Sequence, residues 1–451
     1  GRPLRRFRTL FRAPETFGGV NWLLTPAEAS IELPEGLCDP KAAEYQAASV
    51  SRYLFRLFEG ALATDATSAV VLAGLYETGL RDGKATTADD CRALDRQWWV
   101  GLKRKLYGTE SELKFECPRP IEGEPAPVVR EGTAEEAGMD PAVVDKLDAL
   151  LREWAEASGE PFATCIVRNG VAFFHRAYGE YRGRPMDLQT KTWMASISKF
   201  LGGLQMMMLV DQGLVDLDDP VDKYLAPFRG VEVQKPLTVR HLYTHTNGLL
   251  LGLQPRGYYG DHWGDEINDF EEIVAGYYPY LKVAERHGYN GAGYAVAGKI
   301  IEQVTGEAQP VYARRHLLDP LGCDHTDIVD MSAYTRSIPM DMAKIGQMVL
   351  NKGAYGDLRF FSPETFEKMM PIKLDKILGP DTDVVWGIGA VYMPSPGLSP
   401  KTFGHGAASA ATFVIDPENE LVVVMTRDQA GPKYWEYIDR FFKTIAEGLP
   451  K

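Results

Sequence analysis

A serine and a lysine three residues apart carry the strongest chemical signal in this sequence. Ser196 and Lys199 lie in the segment MASISKF, at the start of an apolar run. On a helix this spacing places hydroxyl and amine one turn apart on one face. A serine hydroxyl needs a base to become a good nucleophile, and lysine serves only if burial lowers its pKa. The pattern predicts Ser196 as nucleophile and Lys199 as base, although the motif alone is more often a helix cap beside a surface lysine.

The segments around and after MASISKF resemble class C β-lactamases and the related family VIII carboxylesterases and D-aminopeptidases. The similarity covers about residues 131–451 and follows the order of that family. Its further segments are LVDLDDPVDKYL (214–225), TVRHLYTHTNGL (238–249), YAVAGKIIEQVTG (294–306), residues 340–356 and residues 362–364. The resemblance implies a serine hydrolase of the β-lactamase and penicillin-binding-protein superfamily, with an antiparallel sheet flanked by helices and a helical lobe.

The second motif of that family, Y-x-N, corresponds to Tyr289-Asn290-Gly291. The resemblance implies that Tyr289 is a proton relay, which protonates the leaving group and activates the deacylating water. This role requires a phenol pKa that Lys199 and its neighbours lower, and a packing aromatic is the alternative. Gly291 departs from the motif, because the usual asparagine helps to hold the lysine and the substrate amide. Efficient β-lactam hydrolysis is therefore not expected.

The third motif, usually K-T-G, appears as His405-Gly406-Ala407. The resemblance implies that the N–H of Ala408 joins that of Ser196 as the oxyanion hole. Gly406 begins a run of small residues that lets the backbone approach a substrate closely. His405 replaces the lysine that binds the carboxylate of penicillins, and histidine is mostly uncharged at neutral pH. We therefore expect weak anion binding and a preference for neutral acyl substrates; a purely structural histidine is the alternative.

Further aromatic and histidine residues have weaker support. His241 and His245 are tempting partners for a Ser-His triad, but no placed acidic partner is evident, and the resemblance implies a structural role. Trp386 precedes the third motif, and the resemblance implies that it shapes the pocket. Residues on a predicted loop between the first two motifs either line the acyl pocket or are exposed: Tyr258, Tyr259, His262 and Trp263.

The elements that position these residues follow from hydrophobic periodicity. The predicted helices cover 140–158, 196–210 and 434–445, and the predicted strands cover 163–168, 171–176, 412–415 and 421–426. Strands at both ends, with helices between and around them, indicate an antiparallel sheet formed from both ends of the segment. The predicted fold class is α/β, of the α+β type.

A proline-rich stretch, CPRPIEGEPAPVVR, divides the chain. Repeated prolines favour an extended linker, which we predict over 118–130. Residues 40–108 carry apolar side chains at helical spacing, and we predict that residues 1–117 are a mostly helical region of unknown role. Residues 131–451 form the predicted hydrolase domain.

Composition narrows the class of partner. The 451 residues carry a net charge of −13, which argues against nucleic acid or an anionic membrane as the main partner. An apolar run of about 18 residues is missing, so no membrane span is expected. The histidines lack paired metal spacing, and we expect neither a metal nor an organic cofactor. The expected partner is a small ester or amide, with a homo-oligomer left open. We expect a bacterial periplasmic or secreted protein, with the cytoplasm as the alternative.

Together these residues predict acyl transfer in two steps through an acyl-enzyme on Ser196. The expected enzyme is a carboxylesterase-like serine hydrolase that cleaves ester or amide bonds of small acyl substrates. The alternatives are a D-amino-acid amidase or peptidase, a weak β-lactamase, and a non-catalytic binding protein that retains the fold.

Overall fold

The structure is a computed structural model that describes residues 97, 100, 101, 103, 104, 115–249 and 270–450. The chain forms two compact units. Unit 1 consists of Gly1–Glu110, Pro255–Ile273 and Gly306–Ala308, and unit 2 of Ser111–Gln254, Val274–Thr305 and Gln309–Lys451. The predicted helical region 1–117 therefore lies almost wholly outside the described residues. In the described part of the chain, no helix is long and apolar enough to cross a membrane.

Among the described residues of unit 1, polar contacts join its separate segments. The side chain of Gln97 donates to the Gly306 carbonyl oxygen at 2.7 Å and accepts from the Ala308 N–H at 2.7 Å. Lys103 and Glu271 form an ion pair at 2.5 Å, and both side chains are buried. Because a buried charge is costly without its counterion, this pair links the described residues around 103 and 271 firmly.

The secondary structure of the described residues is as follows. The helices are α1 (Ala142–Ser158), α2 (Ser198–Asp211), α3 (Val239–Tyr243), α4 (Phe270–Tyr277), α5 (Ala292–Thr305), α6 (Gln309–Ala313), α7 (Pro339–Leu350), α8 (Pro363–Met369), α9 (Asp375–Leu378) and α10 (Tyr434–Glu447). The strands are β1 (Arg119–Pro120), β2 (Arg130–Glu131), β3 (Phe162–Arg168), β4 (Val171–Tyr178), β5 (Glu180–Tyr181), β6 (Arg184–Pro185), β7 (Thr192–Trp193), β8 (Asp327–Ile328), β9 (Thr335–Ser337), β10 (Ala354–Tyr355), β11 (Leu358–Arg359), β12 (Ile372–Lys373), β13 (Val385–Trp386), β14 (Val391–Tyr392), β15 (Phe403–Gly404), β16 (Thr412–Asp416) and β17 (Leu421–Thr426).

The main sheet of unit 2 joins strands from both ends of the hydrolase segment. Its seven strands lie in the order β14-β15-β16-β17-β3-β4-β2. The C-terminal β17 pairs antiparallel with the N-terminal β3, and Val424 lies opposite Cys165. The β3–β4 turn has positive φ angles at Asn169 and Gly170, as a tight hairpin turn requires. Apart from the parallel pair β2–β4, the sheet is antiparallel, and the predicted antiparallel sheet from both ends of the segment is confirmed.

Helices cover both faces of this sheet. Successive side chains of a strand point to opposite faces, and apolar side chains on both faces need to be covered. Val423 and Met425 belong to the core that α1 and α10 cover, where the ring of Trp154 stacks on Tyr437 at 5.6 Å. Val422 points to the opposite face, towards Gly346 of α7, where an added Cβ would lie 2.5 Å from the valine side chain. The sheet is therefore buried on both sides and forms a rigid base.

The helix α2 crosses the interior of unit 2. Met206, Met207 and Met208 are fully buried and belong to the core. At Gly202 and Gly203 an added Cβ would lie 2.6 Å from the Met331 carbonyl oxygen and 2.3 Å from that of Ile388. The two glycines therefore let neighbouring backbone pack directly against the helix that carries Lys199.

The proline-rich segment 118–130 is hydrogen-bonded within unit 2. β1 pairs with β11 through Arg119 and Arg359, and the Ala126 N–H donates to the Gly356 carbonyl oxygen at 2.9 Å. Unit 2 begins at Ser111, before this segment. A division of the chain at 118–130 stays a prediction.

Candidate active site

Ser196 lies on a tight turn immediately before α2. A 3₁₀ turn covers Ala195–Ile197, and the α-helix begins at Ser198, two residues later than predicted. Ala195 is buried with φ 45°, a left-handed conformation that is unfavourable for alanine. The Met194 N–H donates to the Thr335 carbonyl oxygen at 2.9 Å and holds the approach to this turn. Strain of this kind is found at functional sites, where surrounding structure maintains it.

Lys199 is buried, with its amine close to the predicted nucleophile. Its Nζ lies 3.4 Å from Ser196 Oγ and donates to the Ser332 carbonyl oxygen at 2.8 Å. Among the described residues it has no carboxylate within ion-pair distance. Burial lowers the pKa of Lys199 to about 8, and the charge of Asp330 opposes this shift. A lysine in this state can accept a proton near neutral pH, as a base for serine must.

The turn that holds Lys199 was not predicted from the sequence. One oxygen of Asp330 accepts the backbone N–H groups of Ser332, Ala333 and Tyr334 at 2.6, 2.8 and 3.3 Å. This arrangement directs the Ser332 carbonyl to Lys199. An aspartate followed by small residues is a common turn signal, but nothing in the sequence indicates that the turn contacts the lysine.

Tyr289 lies against Lys199, as the second motif implies. The lysine Nζ is 4.8 Å from the centre of the Tyr289 ring. Tyr289 is 36% exposed, but the protein around its hydroxyl desolvates the phenolate and raises the pKa, and this effect outweighs the hydrogen bond with Ser196 that lowers it. The expectation of a lowered phenol pKa was therefore wrong. The amine contacts the face of the ring and does not neutralise a phenolate, so Tyr289 remains a protonated hydroxyl.

Asn290 does not replace the missing third residue of the motif. Its amide donates to Asn247 Oδ1 at 3.2 Å and to the Gly288 carbonyl oxygen at 2.7 Å, and its Oδ1 accepts the Gly293 N–H at 3.0 Å. All of these partners belong to the surrounding backbone and loop. Because Gly291 has no side chain, the amide that is usual at this position of the motif is absent, as the sequence predicts.

His405 follows β15 and is buried. Its Nδ1 lies 2.7 Å from the Gly406 carbonyl oxygen. Burial lowers the pKa of His405 to about 4, and the charge of Lys199 adds a smaller decrease. At neutral pH the ring is therefore uncharged, in agreement with the expected loss of a cation at this position. Its Nε2 is buried and has no hydrogen-bond partner among the described residues.

The rest of the third motif leaves space beside His405. A Cβ added to Gly406 would have no atom within 4 Å. Ala408 is exposed, in a turn closed by the Ala410 N–H and the Ala407 carbonyl oxygen at 3.0 Å. The oxyanion role of the Ala408 N–H stays a prediction. The Trp386 ring on β13 lies beside two candidate site residues, 5.9 Å from the Tyr289 ring and 6.3 Å from the His405 ring.

The two histidines of TVRHLYTHTNG have different positions. His241 caps α3, where its Nδ1 accepts the Thr238 N–H at 3.1 Å. His245 is buried at the site, 4.5 Å from the Tyr289 ring, and its Nδ1 accepts the Asn290 N–H at 3.2 Å. Burial holds the pKa of His245 well below its ordinary value. Within the described residues neither histidine has a carboxylate partner in hydrogen-bond reach.

A third histidine was missed. The His287 ring lies 4.9 Å from Trp386 and 5.7 Å from His245. It precedes Tyr289 by two residues, but no motif marks it in the sequence. The predicted pocket residues Tyr258, Tyr259, His262 and Trp263 lie outside the described residues. The structure thus brings the predicted Ser196, Lys199, Tyr289, Trp386 and His405 into one site, with Gly291 and Gly406 beside it in sequence.

Comparison with protein families shows the family to which this chain belongs. The model of the family described as Beta-lactamase matches residues 148–441, which is more than half of the chain. The chain belongs to the Beta-lactamase family. This is a family of serine hydrolases that share the β-lactamase fold. The seven-stranded sheet and its helices have this β-lactamase/transpeptidase-like fold.

Individual members of the family and solved structures agree with this assignment. The N-acetylmuramyl-L-alanine amidase of Bacillus subtilis (strain 168) is 23% identical over 376 residues, which cover 65% of this chain and 82% of that protein. EstCE1, a hydrolase with promiscuous acyltransferase activity, superposes with a TM-score of 0.55 at 18% identity, over 68% of this chain and 98% of EstCE1. EstA from Arthrobacter nitroguajacolicus Rue61a gives 0.54 at 19% identity, over 67% and 97%. At such identities the structural likeness shows the fold.

Proposed function

We propose that this Beta-lactamase family member is a carboxylesterase-like hydrolase that cleaves small, uncharged acyl esters through an acyl-enzyme on Ser196. One observation carries the proposal. Lys199 is buried, has no carboxylate within ion-pair distance in the described part of the chain, has a pKa of about 8, and lies 3.4 Å from Ser196 Oγ. A structural lysine would gain stability from a counterion. A lysine base needs a lowered pKa, which the absence of a counterion allows.

The proposed reaction transfers the acyl group in two steps. Neutral Lys199 accepts the Ser196 hydroxyl proton as Oγ forms a bond to the ester carbonyl carbon. The carbonyl π electrons move to oxygen, which backbone N–H groups of Ser196 and Ala408 stabilise. As the oxyanion collapses, the ester C–O bond breaks and the Tyr289 hydroxyl protonates the leaving alcohol. In the second step, water attacks the acyl-enzyme and gives a proton to the Tyr289 phenolate. Protonated Lys199 returns its proton to Ser196 Oγ as the bond to the acyl group breaks, and the acid is released.

The preference for uncharged substrates rests on two positions. His405 is neutral at pH 7 and Gly291 has no side chain, so the site lacks the cation and the amide that hold a β-lactam. Each lost charge-assisted hydrogen bond is worth about 1.5–3 kcal/mol. A neutral short-chain ester needs neither contact. Amide hydrolysis is the second candidate, and the similarity to an N-acetylmuramyl-L-alanine amidase favours it.

A substrate panel tests the proposal. At pH 7.5 we expect kcat/KM for p-nitrophenyl butyrate to exceed that for nitrocefin by about a hundredfold or more, the effect of two lost contacts. A D-alanine p-nitroanilide reports the amidase alternative. His405→Lys is expected to narrow the gap, and His405→Gln, which adds no charge, is its matched control. Faster turnover of nitrocefin than of the butyrate ester by the wild type would contradict the esterase assignment.

A further inference from the structure

The amine of Lys199 lies over the faces of two tyrosine rings. Its Nζ is 4.8 Å from the centre of the Tyr289 ring and 5.6 Å from the centre of the Tyr294 ring, which belongs to α5. A cation within about 6 Å of a ring centre is attracted by the negative charge on the ring face. The proposed function assigns Tyr289 to proton transfer. It gives no role to Tyr294.

The Tyr294 side chain is fully buried and fixed by its neighbours. Its hydroxyl donates to the Tyr243 carbonyl oxygen at 3.2 Å, and the two tyrosine rings meet edge to face at 4.9 Å. The Tyr243 hydroxyl donates to the carbonyl oxygen of Gly202, on the helix that carries Lys199, at 3.3 Å. Since the Tyr294 hydroxyl is bound to backbone, it is the face of the ring that meets the lysine amine.

We propose that Tyr294 is a positioning residue for the base, because its ring face stabilises the protonated Lys199 amine that holds the serine proton while the acyl-enzyme forms. This inference rests on the base assignment of the proposed function and adds a residue to it. Burial disfavours the ammonium, and in the described part of the chain no carboxylate lies within ion-pair distance of it. A ring face offsets part of this cost, whereas a carboxylate would hold the proton more strongly and weaken the base.

The tyrosines and histidines around the lysine amine keep one charge state near pH 8. Desolvation raises the pKa of Tyr289 and of Tyr294, so both hydroxyls stay protonated. Burial lowers the pKa of His405 to about 4 and holds that of His245 well below its ordinary value, so both rings are uncharged. The charge of Asp330 raises the pKa of the lysine from the turn after β8. A midpoint near 8 in the pH profile therefore reports the lysine.

Removal of the ring from the full chain tests the inference by the direction in which the pH profile moves. In Tyr294→Leu the ammonium loses the attraction of the ring, so the midpoint of kcat/KM for p-nitrophenyl butyrate should fall by about 0.5–1 pH unit. A ring that only excluded water would give the opposite result, because its removal would hydrate the ammonium and raise the midpoint. Tyr294→Phe keeps the ring face and should keep the wild-type midpoint.

Ring fluorination keeps the test decisive if Tyr294→Leu folds poorly. Tyr294→Phe with one and then three fluorine atoms on its ring, introduced by codon suppression, nearly keeps the size of the side chain and withdraws charge from the ring face. The midpoint should then fall stepwise. The matched control is Tyr312→Leu, which removes another fully buried tyrosine, whose hydroxyl donates to the Gln205 carbonyl oxygen of α2 at 3.1 Å. It should leave the midpoint unchanged.

Two kinds of failure are distinguishable. A midpoint that is unchanged or raised in Tyr294→Leu, or one that fluorination does not move, would overturn the inference alone. Absence of turnover for every p-nitrophenyl ester would overturn the proposed function. The pH profile of fluorophosphonate labelling of Ser196, which needs the same base, would then test the inference by the same shifts in the same variants.

Discussion

Two neighbouring side chains divide the proton chemistry of the proposed reaction. Burial lowers the pKa of Lys199 to about 8, whereas burial raises that of Tyr289 above its ordinary value. The same physical cause acts in opposite directions because it disfavours a charged ammonium and a charged phenolate alike. Near neutral pH the lysine can therefore accept a proton and the tyrosine can give one. This assigns Lys199 as base and Tyr289 as acid in acylation.

The pH dependence of ester hydrolysis tests this division. Because the base must be unprotonated, kcat/KM for p-nitrophenyl butyrate should rise with pH to a plateau, with a midpoint near 8. Lys199→Ala should lower the plateau by about a hundredfold or more and remove this midpoint. Tyr289→Phe should lower the rate comparably but keep the midpoint. Lys146→Ala, which removes an exposed lysine paired with Glu447, is the control. A midpoint that survives in Lys199→Ala would assign the base to another group.

At this scale the sequence predicted which side chains lie together better than it predicted their protonation states. The spacing of Ser196 and Lys199 and the apolar run after them indicated a buried lysine base, because helix geometry and burial are local properties. The raised pKa of Tyr289 depends on packing between distant segments. The left-handed φ of Ala195 depends likewise on how β7 and β9 hold the turn. Neither has a local signal in the sequence.

One turn and one helix together orient the lysine. The turn after β8 directs the Ser332 carbonyl to Lys199 Nζ, and Asp330 holds that turn through three backbone N–H groups. The same turn packs its Met331 backbone on Gly202 of α2. The lysine is therefore positioned from both sides by backbone, which is a rigid arrangement.

Substitution of Asp330 tests this positioning. Asp330→Ala leaves three N–H groups without their acceptor, which we expect to destabilise the protein by about 1–3 kcal/mol and to lower kcat/KM at least tenfold. Asp330→Asn keeps an acceptor oxygen and should retain a Tm close to that of the wild type. It also removes the negative charge that raises the pKa of Lys199, so the midpoint should move below 8. Thermal unfolding and the pH profile measure both effects. Wild-type behaviour in Asp330→Ala would contradict the role of the turn.

The long elements were predictable and the short ones were not. The strands β3, β4, β16 and β17 carry continuous apolar runs with turn residues between them, so their pairing across the chain followed from pattern. The two-residue strands, such as β7 and β13, exist only because distant partners hydrogen-bond to them. Their sequence carries no periodicity. This is why the sheet was foreseen, whereas the turn that holds Lys199 was not.

In unit 2, the fold buries several histidines in their uncharged form. Burial lowers the pKa of His241 and of His405 from 6.5 to about 4, and that of His245 further below its ordinary value. The unfolded chain binds a proton on each histidine at a pH where the folded protein does not. The free energy of unfolding must therefore fall as the pH falls from 6.5 towards 4.

Acid unfolding measures this cost. We expect urea unfolding, followed by circular dichroism at several pH values, to show stability lost between pH 6.5 and 4, with His241 and His405 contributing up to about 3 kcal/mol each. Paired carboxylates such as Glu153, whose pKa is lowered from 4.5 to about 2, lose their contribution as the pH falls from 4.5 to about 2. His405→Gln should reduce the slope by about one proton. A free energy of unfolding that stays constant from pH 7 to 4.5 would contradict the buried neutral histidines.

The central claim is that Ser196 forms the covalent acyl-enzyme, and direct labelling tests it. A fluorophosphonate transfers its phosphonyl group only to an activated nucleophile, so the intact mass should increase by one group. Peptide mapping should then place the adduct on Ser196. Ser196→Ala should abolish both labelling and ester turnover. Ser198→Ala, two residues further along the chain, should keep both. An adduct on Ser198 or elsewhere, or an unlabelled wild type that is folded, would contradict the account.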